Sequence, residues 1–385
     1  MRRLAAGLLL AFLLPGQTPE EYFHSAGAGF RATAEEQRLF WRPHVEQSRE
    51  RILVAAAAAA GRSTATVLGA GVCTEIPLQD LARRFGRVLL VDMDGASMVE
   101  AVESLPIELR SKVDLRVADI TTFAAVLMQR LHRAAEESRT AEEALERFGK
   151  IFASLEPGLL PARLPPSDLI VSSLVLSTLH RYPLSYADRL LRTRFGIRLR
   201  SWEGYEDARR RLIRLALEDH FRLLRDALCP GGAVYLAATV ARGPAYWQFG
   251  EEVARRVESE LLPEFRELGL ADEGESLAAA VGRLCHARYG VEREIEAFER
   301  LLEAYEAASP AAFETMVDVE AARAEWRRAG LRATGPPGKW WWIEYPCSIP
   351  HSPGGFRVLS WILRPALGGS PSATAAAAPD PGPRP

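Results

Sequence analysis

The sequence predicts an α/β fold built on a mostly parallel, doubly wound sheet covered by helices on both faces. Three observations predict it. Short apolar runs, TATVL, RVLLV, DLIV and AVYLA, alternate with longer segments of helical composition. These runs are apolar nearly throughout instead of alternating with polar residues, which is the pattern of strands buried on both faces. The first run ends in a glycine pair, Gly69 and Gly71, at the strand-to-helix turn where such sheets bind ligands.

The chain opens on MRRLAAGLLLAFLLPG, a basic start and a short apolar run resembling a secretory signal but without an A-x-A site. It is shorter than the ~20 apolar residues that span a bilayer, and a packing helix or a misread start are its alternatives. Residues 1–45 are read as an N-terminal extension. WRPHVEQSRERILVAAAAAAG is a helix closed by Gly61, and TATVLGAG the first strand with its loop. Thr74 is the expected N-cap of the next helix, with Pro77 in its first turn and Gly86 at its end. RVLLVDMD is the second strand, ending at Asp92. A helix over ASMVEAVESLP leads to the third strand, VDLRVADI, which ends at Asp119.

SDLIVSSLVLS supplies the fourth strand. The fifth, AVYLAAT, follows the helix EDARRRLIRLALEDHFRLLRDAL and the breaker CPGG. DVEAARAEWRRAG is a last crossover helix before strands in GKWWWIEYPC and FRVLSWILRP. These elements place a cofactor-binding core at 46–241, with helical insertions at about 122–166 and 180–206. A helical cap is expected over 242–315, the last helix and terminal strand pair over 316–366, and a tail too poor in apolar surface to fold over 367–385.

Composition narrows the classes. With 385 residues, 48% hydrophobic and 25% charged, the chain can bury a sizeable core. A formal net charge of -2 gives no global attraction to nucleic acid or to an anionic membrane, so neither is an expected partner. Cys73, Cys229, Cys285 and Cys347 have no metal-ligand spacing, and no compact acid cluster suits a catalytic metal. Reduced thiols and a cytoplasmic location are the simplest reading.

A dinucleotide fingerprint wants a third glycine or alanine where this loop, Gly69-Ala70-Gly71-Val72-Cys73-Thr74, has threonine. Asp92 can accept from both hydroxyls of a ribose, and Asp119 from an adenine amine. With these acids at successive strand ends, followed in order by SDLIVSS and LCPGGAVYLA, the sequence resembles the class I S-adenosylmethionine-dependent methyltransferases. The resemblance covers Thr64 to about Thr239 with interruptions, and the terminal strand pair. It implies a seven-stranded sheet with helical insertions forming a cap, and S-adenosylmethionine as cofactor.

By the same resemblance Gly69, Ala70 and Gly71 line the cofactor's methionine and ribose, and Asp92 holds the ribose hydroxyls. Met93 packs on the adenine, Asp119 and Ile120 border its edge, and Ser172 and Ser173 face the transferred methyl and the acceptor. The sequence departs from the family at Val67, where many members carry an acid, and at Cys73, where they carry glycine. Glu75 is the candidate substitute for the missing acid.

The resemblance implies a methyltransferase acting at oxygen or nitrogen of a small or medium-sized organic acceptor. A nicotinamide-dependent oxidoreductase and a cofactor-binding module without catalysis stay open as alternatives. His180, with Tyr182 near it, lies just beyond the fourth strand, where an acceptor enters; it is either a general base or an orienting residue of the loop. The absence, after the fourth strand, of an Asn-Pro-Pro-aromatic motif and of a Pro-Cys nucleophile argues against base-methylating branches. DRLLRTRFGIRLRSWEGYEDARRR concentrates arginines beside this mouth, as an anionic or carrier-bound substrate requires, or as a solvated face with acidic partners.

Overall fold

The computed structural model describes residues 18–156, 164–243, 251–286, 292–344 and 354–366. The signal-like N-terminal run and the low-complexity tail lie outside the described residues, as do parts of the insertions.

Two helices precede the sheet. Helix α1, Pro19–Glu36, starts on a capping box: the Thr18 hydroxyl accepts from the Glu21 N–H, and the Glu21 carboxylate accepts from the Thr18 N–H. Helix α2, Arg38–Ala58, begins earlier than its composition suggests and runs through Pro43. The chain then alternates strand and helix: β1 Thr64–Leu68, α3 Leu78–Arg84, β2 Arg87–Asp92, α4 Gly95–Glu103, α5 Ile107–Arg110 and β3 Val113–Val117. Helices α6 Ala124–Glu137 and α7 Ala141–Ala153 lead to β4 Ser167–Ser173. Helices α8 Arg181–Phe195 and α9 Tyr205–Ala227 then lead to β5 Leu228–Gly243. The remainder is α10 Glu251–Glu267, α11 Leu277–His286, α12 Glu292–Ala308, β6 Glu314–Thr315, α13 Val319–Arg328, β7 Leu331–Ala333, β8 Gly338–Glu344 and β9 Gly354–Pro365.

The sheet runs β3-β2-β1-β4-β5-β9-β7. Strands β1 to β5 are parallel, and β9 enters antiparallel beside β5, with Leu236 opposite Trp361. Strands β7 and β8 pair end to end along β9. They form one sixth strand interrupted at 334–337, where Pro336 and Pro337 have no N–H to give to a ladder. The two-residue β6 adds to the far end of β5.

Strand alternation sends side chains to two cores. Val67, Leu90, Val171 and Tyr235 pack under α2, α3 and α4. Leu68, Val91, Ile170 and Leu236 pack under α6, α7, α8, α9 and α13. Both faces are therefore covered, as the apolar runs require.

Three expectations need correction. Thr74 does not cap α3, which starts at Leu78 with Pro77 in the cap position; turns joining Cys73 to Ala70 and Ile76 to Cys73 use up the intervening residues. CPGG does not precede the fifth strand but opens it, as a bulge in which Ser167 and Leu169 pair with Leu228 and Ala233. The helices of the 242–315 insertion pack through Val257, Phe265, Phe298 and Tyr305 into the core that holds Trp340, Trp341 and Trp342. Among the described residues none of α10, α11 or α12 lines the large cavity described next. No helix among the described residues is long and apolar enough to cross a membrane.

Candidate active site

A cavity of about 560 Å³ lies beyond the carboxyl ends of β1, β2 and β4, within the ~300–1,000 Å³ usual for small-molecule sites. Its floor is the loop after β1. Gly69 has φ +62, and a Cβ there would stand 2.5 Å from Val175 Cγ2, so glycine is required by backbone and by space. Gly71 has φ +48 and no atom within 4 Å of its Cβ position. The N–H groups of Gly69 and Ala70 donate to the Val91 carbonyl at 2.8 and 3.3 Å, which ties the loop to β2.

Asp92 locks this arrangement. One carboxylate oxygen accepts from the Gly71 N–H at 2.9 Å and the other from the Asp94 N–H at 2.8 Å. Burial raises the Asp92 carboxyl, and these backbone bonds hold it partly back. Asp119, two residues beyond β3, accepts from the Thr121 N–H and hydroxyl and from the Ala125 N–H, each at 2.8 Å, and burial raises its carboxyl too. Glu75 is raised by burial, against its own backbone, the Ser173 hydroxyl and the charge of Arg49.

Of the sequence-predicted residues, Gly69, Ala70, Gly71, Glu75, Asp92, Met93, Asp119, Ile120, Ser173 and Tyr182 line this one cavity. Ser172 and His180 are not in the lining. Ser172 follows the pleat to the other face, where its hydroxyl and His220 Nε2 are 2.9 Å apart. His180 is buried in the cap position of α8, and burial, then the charges of Arg209 and Arg181, pull its imidazole down to about 4. Tyr182 is 36% exposed as a residue, and its phenol is raised by its local surroundings first and then by the charges of Asp92 and Tyr22.

Three arginines of the basic stretch after β4 pair within it, Arg192 with Asp188, Arg209 with Glu206 and Arg210 with Asp207, and Arg194 and Arg211 donate to the Glu136 and Leu155 carbonyls. None of its residues is in the lining; Arg181, seven residues before the stretch, is.

Sequence reasoning missed the cover. Phe23, Ala26, Gly27, Phe30 and Arg31 of α1 line the cavity. A Cβ on Gly27 would meet Asp94 Oδ2 at 2.0 Å, so the helix lies directly on that carboxylate. Arg31 Nη1 and His24 Nδ1 hold Asp94 at 3.1 and 3.4 Å. Burial alone would raise Asp94, but Ser97, His24 and Arg31 outweigh it and the carboxyl is lowered. The signal was present in the capping box and in SAGAG, a run of small residues inside a helix.

Sequence reasoning also missed the far end. Trp41, Met316, Trp342, Glu344 and Phe356 line it. Trp342 stacks on His44 at 4.7 Å, meets Trp41 edge-on at 4.8 Å and touches Phe356 at 5.3 Å. His44 accepts from Trp340 Nε1 at 2.9 Å, and burial pulls it down to about 3.

Strand order, the antiparallel last strand and the ligand-sized cavity over the first loop define the class: this is the fold of the class I S-adenosylmethionine-dependent methyltransferases. No family model and no curated protein matches the chain. An O-methyltransferase family protein from Burkholderia thailandensis is similar at 10% identity and a TM-score of 0.34, over 90% of this chain and 61% of that one. A SAM-dependent methyltransferase from Leishmania major is similar at 13% identity and a TM-score of 0.36, over 90% of this chain and 81% of that one. The N-methyltransferase NodS from Bradyrhizobium japonicum, in complex with S-adenosyl-L-homocysteine, is similar at 9% identity and a TM-score of 0.33, over 86% and 97%. This chain thus spans about three fifths of the first of these. With TM-scores below 0.5, the fold assignment stays on the strand order and register.

Proposed function

We propose that the protein is an S-adenosylmethionine-dependent methyltransferase acting at oxygen or nitrogen of a small or medium-sized organic acceptor. The observation that carries this reading is the Gly69–Gly71 loop bonded to Asp92 on the floor of a cavity whose other end is aromatic. The residues fit the cofactor. The open space at Gly71 admits a ligand against bare backbone. Asp92 would hold the ribose and Met93 the adenine face. Asp119 and Ile120 would border the adenine edge, and Glu75 would meet the methionine end.

When bound, the cofactor supplies an activated sulfonium methyl group. The chain's task is then to position the acceptor and keep water out. Helix α1 closes the cavity over the loop, and Ser173 and Tyr182 face its middle. A tyrosine pushed up to about 12 stays protonated at neutral pH and offers a hydrogen bond, not a base. His180, outside the lining and pulled down to about 4, sits in the cap position of α8 without a side-chain cap bond and does not face an acceptor in this cavity.

The test is a thermal-shift series with S-adenosylmethionine, S-adenosylhomocysteine, NAD and NADP, each at a hundredfold its dissociation constant where it binds. Such a ligand adds ~2.7 kcal/mol and raises the midpoint by a few degrees. The expected result is a shift with the two sulfur compounds alone. A shift with a nicotinamide alone would overturn the reading in favour of an oxidoreductase.

A further inference from the structure

Charge, aromatic surface and an unused carboxylate meet at the far end of the cavity. The acidic and basic residues of the whole lining are Glu75, Asp92, Asp94, Asp119 and Glu344 against Arg31 and Arg181. Arg31 is taken up by Asp94, which leaves Arg181, exposed at the mouth, against four carboxylates. An excess of acid in a cleft with apolar walls concentrates cations.

Glu344 is the carboxylate at the aromatic end. It closes β8, two residues after Trp342, so both side chains fall on the same face of the strand. Among the described residues its carboxylate makes no hydrogen bond or ion pair, while its backbone pairs with Gly354 of β9. The nearest cations leave it open: Arg242 lies over the Phe356 ring at 5.6 Å, and Arg181 acts on it only through space. Burial raises its carboxyl, and these two charges offset the rise in part. A cation bound beside it would restore the charged form.

The aromatic wall is closely packed. Trp342 is held by His44 on one side and by Trp41 and Phe356 at its edges. Ring faces in such a wall attract an ammonium group at distances up to ~6 Å. A hydroxyl and an ammonium must each shed a proton before methylation, but only the ammonium brings a charge that Glu344 and the ring faces attract. A carboxylate would enter against the acid excess.

We propose that this end binds an amine, its cationic nitrogen held by Glu344 beside Trp342 and Phe356 and its apolar body lying toward Trp41, Phe30 and Met316. The ammonium proton passes to the Glu344 carboxylate, and the freed lone pair would then form the N–C bond to the donor's methyl as the S–C bond breaks and sulfur keeps that pair. The inference deepens the methyltransferase reading and rests on it, because an acceptor amine has meaning only beside a methyl donor.

The experiment titrates the full chain, with and without S-adenosylhomocysteine, with three probes of one shape: phenethylamine, 2-phenylethanol and 3-phenylpropionate. Binding is read by quenching of tryptophan fluorescence and by calorimetry. Phenethylamine is expected to bind at least tenfold tighter than either of the others. Glu344→Gln should remove that preference while leaving the alcohol's affinity as it was, and Glu344→Asp should retain part of it. Circular dichroism checks that both variants fold. Equal affinity for amine and alcohol, preference for the carboxylate, silence from all three probes, or an amine preference that survives Glu344→Gln would each overturn the proposal. A wild-type chain that ignores S-adenosylhomocysteine would instead sink the methyltransferase reading, whatever the amine does.

Discussion

Helix α1 lies so close to Asp94 that a single methyl group tests its placement. In a helix interior, Gly→Ala by itself stabilises by about 1 kcal/mol, because alanine loses less backbone freedom on folding. At Gly27 the new Cβ would stand 2.0 Å from Asp94 Oδ2 and 3.0 Å from its Cγ. The carboxylate is not free to swing away, since Ser97, Arg31 and His24 all hold it. Either those bonds break or the helix lifts, at a cost of about 1–3 kcal/mol. Gly27→Ala should therefore change stability by a net loss of about 0–2 kcal/mol.

The cycle with Asp94→Ala sharpens this. Removing the carboxylate also removes the cap of α4 and the Arg31 pair, and these losses cancel between the two arms. What remains near the new methyl is the Asp94 Cβ at 3.4 Å, an ordinary contact. In that background Gly27→Ala should stabilise by about 1 kcal/mol, giving a coupling of about 1–3 kcal/mol. Urea unfolding of the four proteins, followed by circular dichroism, measures it. A gain of about 1 kcal/mol from Gly27→Ala in the wild-type background, with no coupling, would mean that α1 does not rest on Asp94.

Asp92→Ala should weaken S-adenosylhomocysteine binding by about 1–3 kcal/mol, the order for lost hydrogen bonds to a charge, and calorimetry on the folded variant reads it. Gly69→Ala meets both a left-handed φ and Val175, whereas Gly71→Ala meets only the φ; the first should lose more stability in thermal melts, and the second should lose mainly cofactor affinity. His220 is buried and pulled down to about 4, so between that value and its ordinary 6.5 the unfolded chain binds a proton that the folded chain does not. Its contribution is whole above pH 6.5 and falls on acidification by about 1.4 kcal/mol per pH unit. His220→Gln should flatten the decline between pH 6 and 5 by that amount in urea unfolding at each pH.

The core elements were legible because burial on both faces leaves an unbroken apolar run, and because acids at strand ends stand out against it. Asp92 and Asp119 could be placed from order alone. The serine pair shows where reading stopped short: adjacent strand residues face opposite sides, so Ser172 and Ser173 could not both reach the cavity, and the pleat decides which does. The same rule applied to KWWWIEY puts Trp342 and Glu344 on one face. The cover was harder to see. Helices α10, α11 and α12 have the amphipathic pattern of a lid, but periodicity says only that a face is buried, not against what. Gly27 meets Asp94 across 67 positions of sequence, and no local pattern carries that contact.

The structural bonds of Asp92 and Asp119 are compatible with the ligand role proposed for them. A carboxylate offers roughly four lone-pair sites. The Gly71 and Asp94 N–H groups take one site on each oxygen of Asp92, which leaves acceptor capacity on both for a pair of hydroxyls. At Asp119 the Thr121 N–H and hydroxyl share one oxygen while Ala125 uses the other, so there is room for about one more donor, as an amine needs. The bonds that shape the loop and start α6 therefore aim the remaining lone pairs without consuming them. If the proposed cofactor binds here, the site is formed before it arrives, so little binding energy goes into ordering it. Burial raises both carboxyls, and a donor from such a ligand would favour their charged forms.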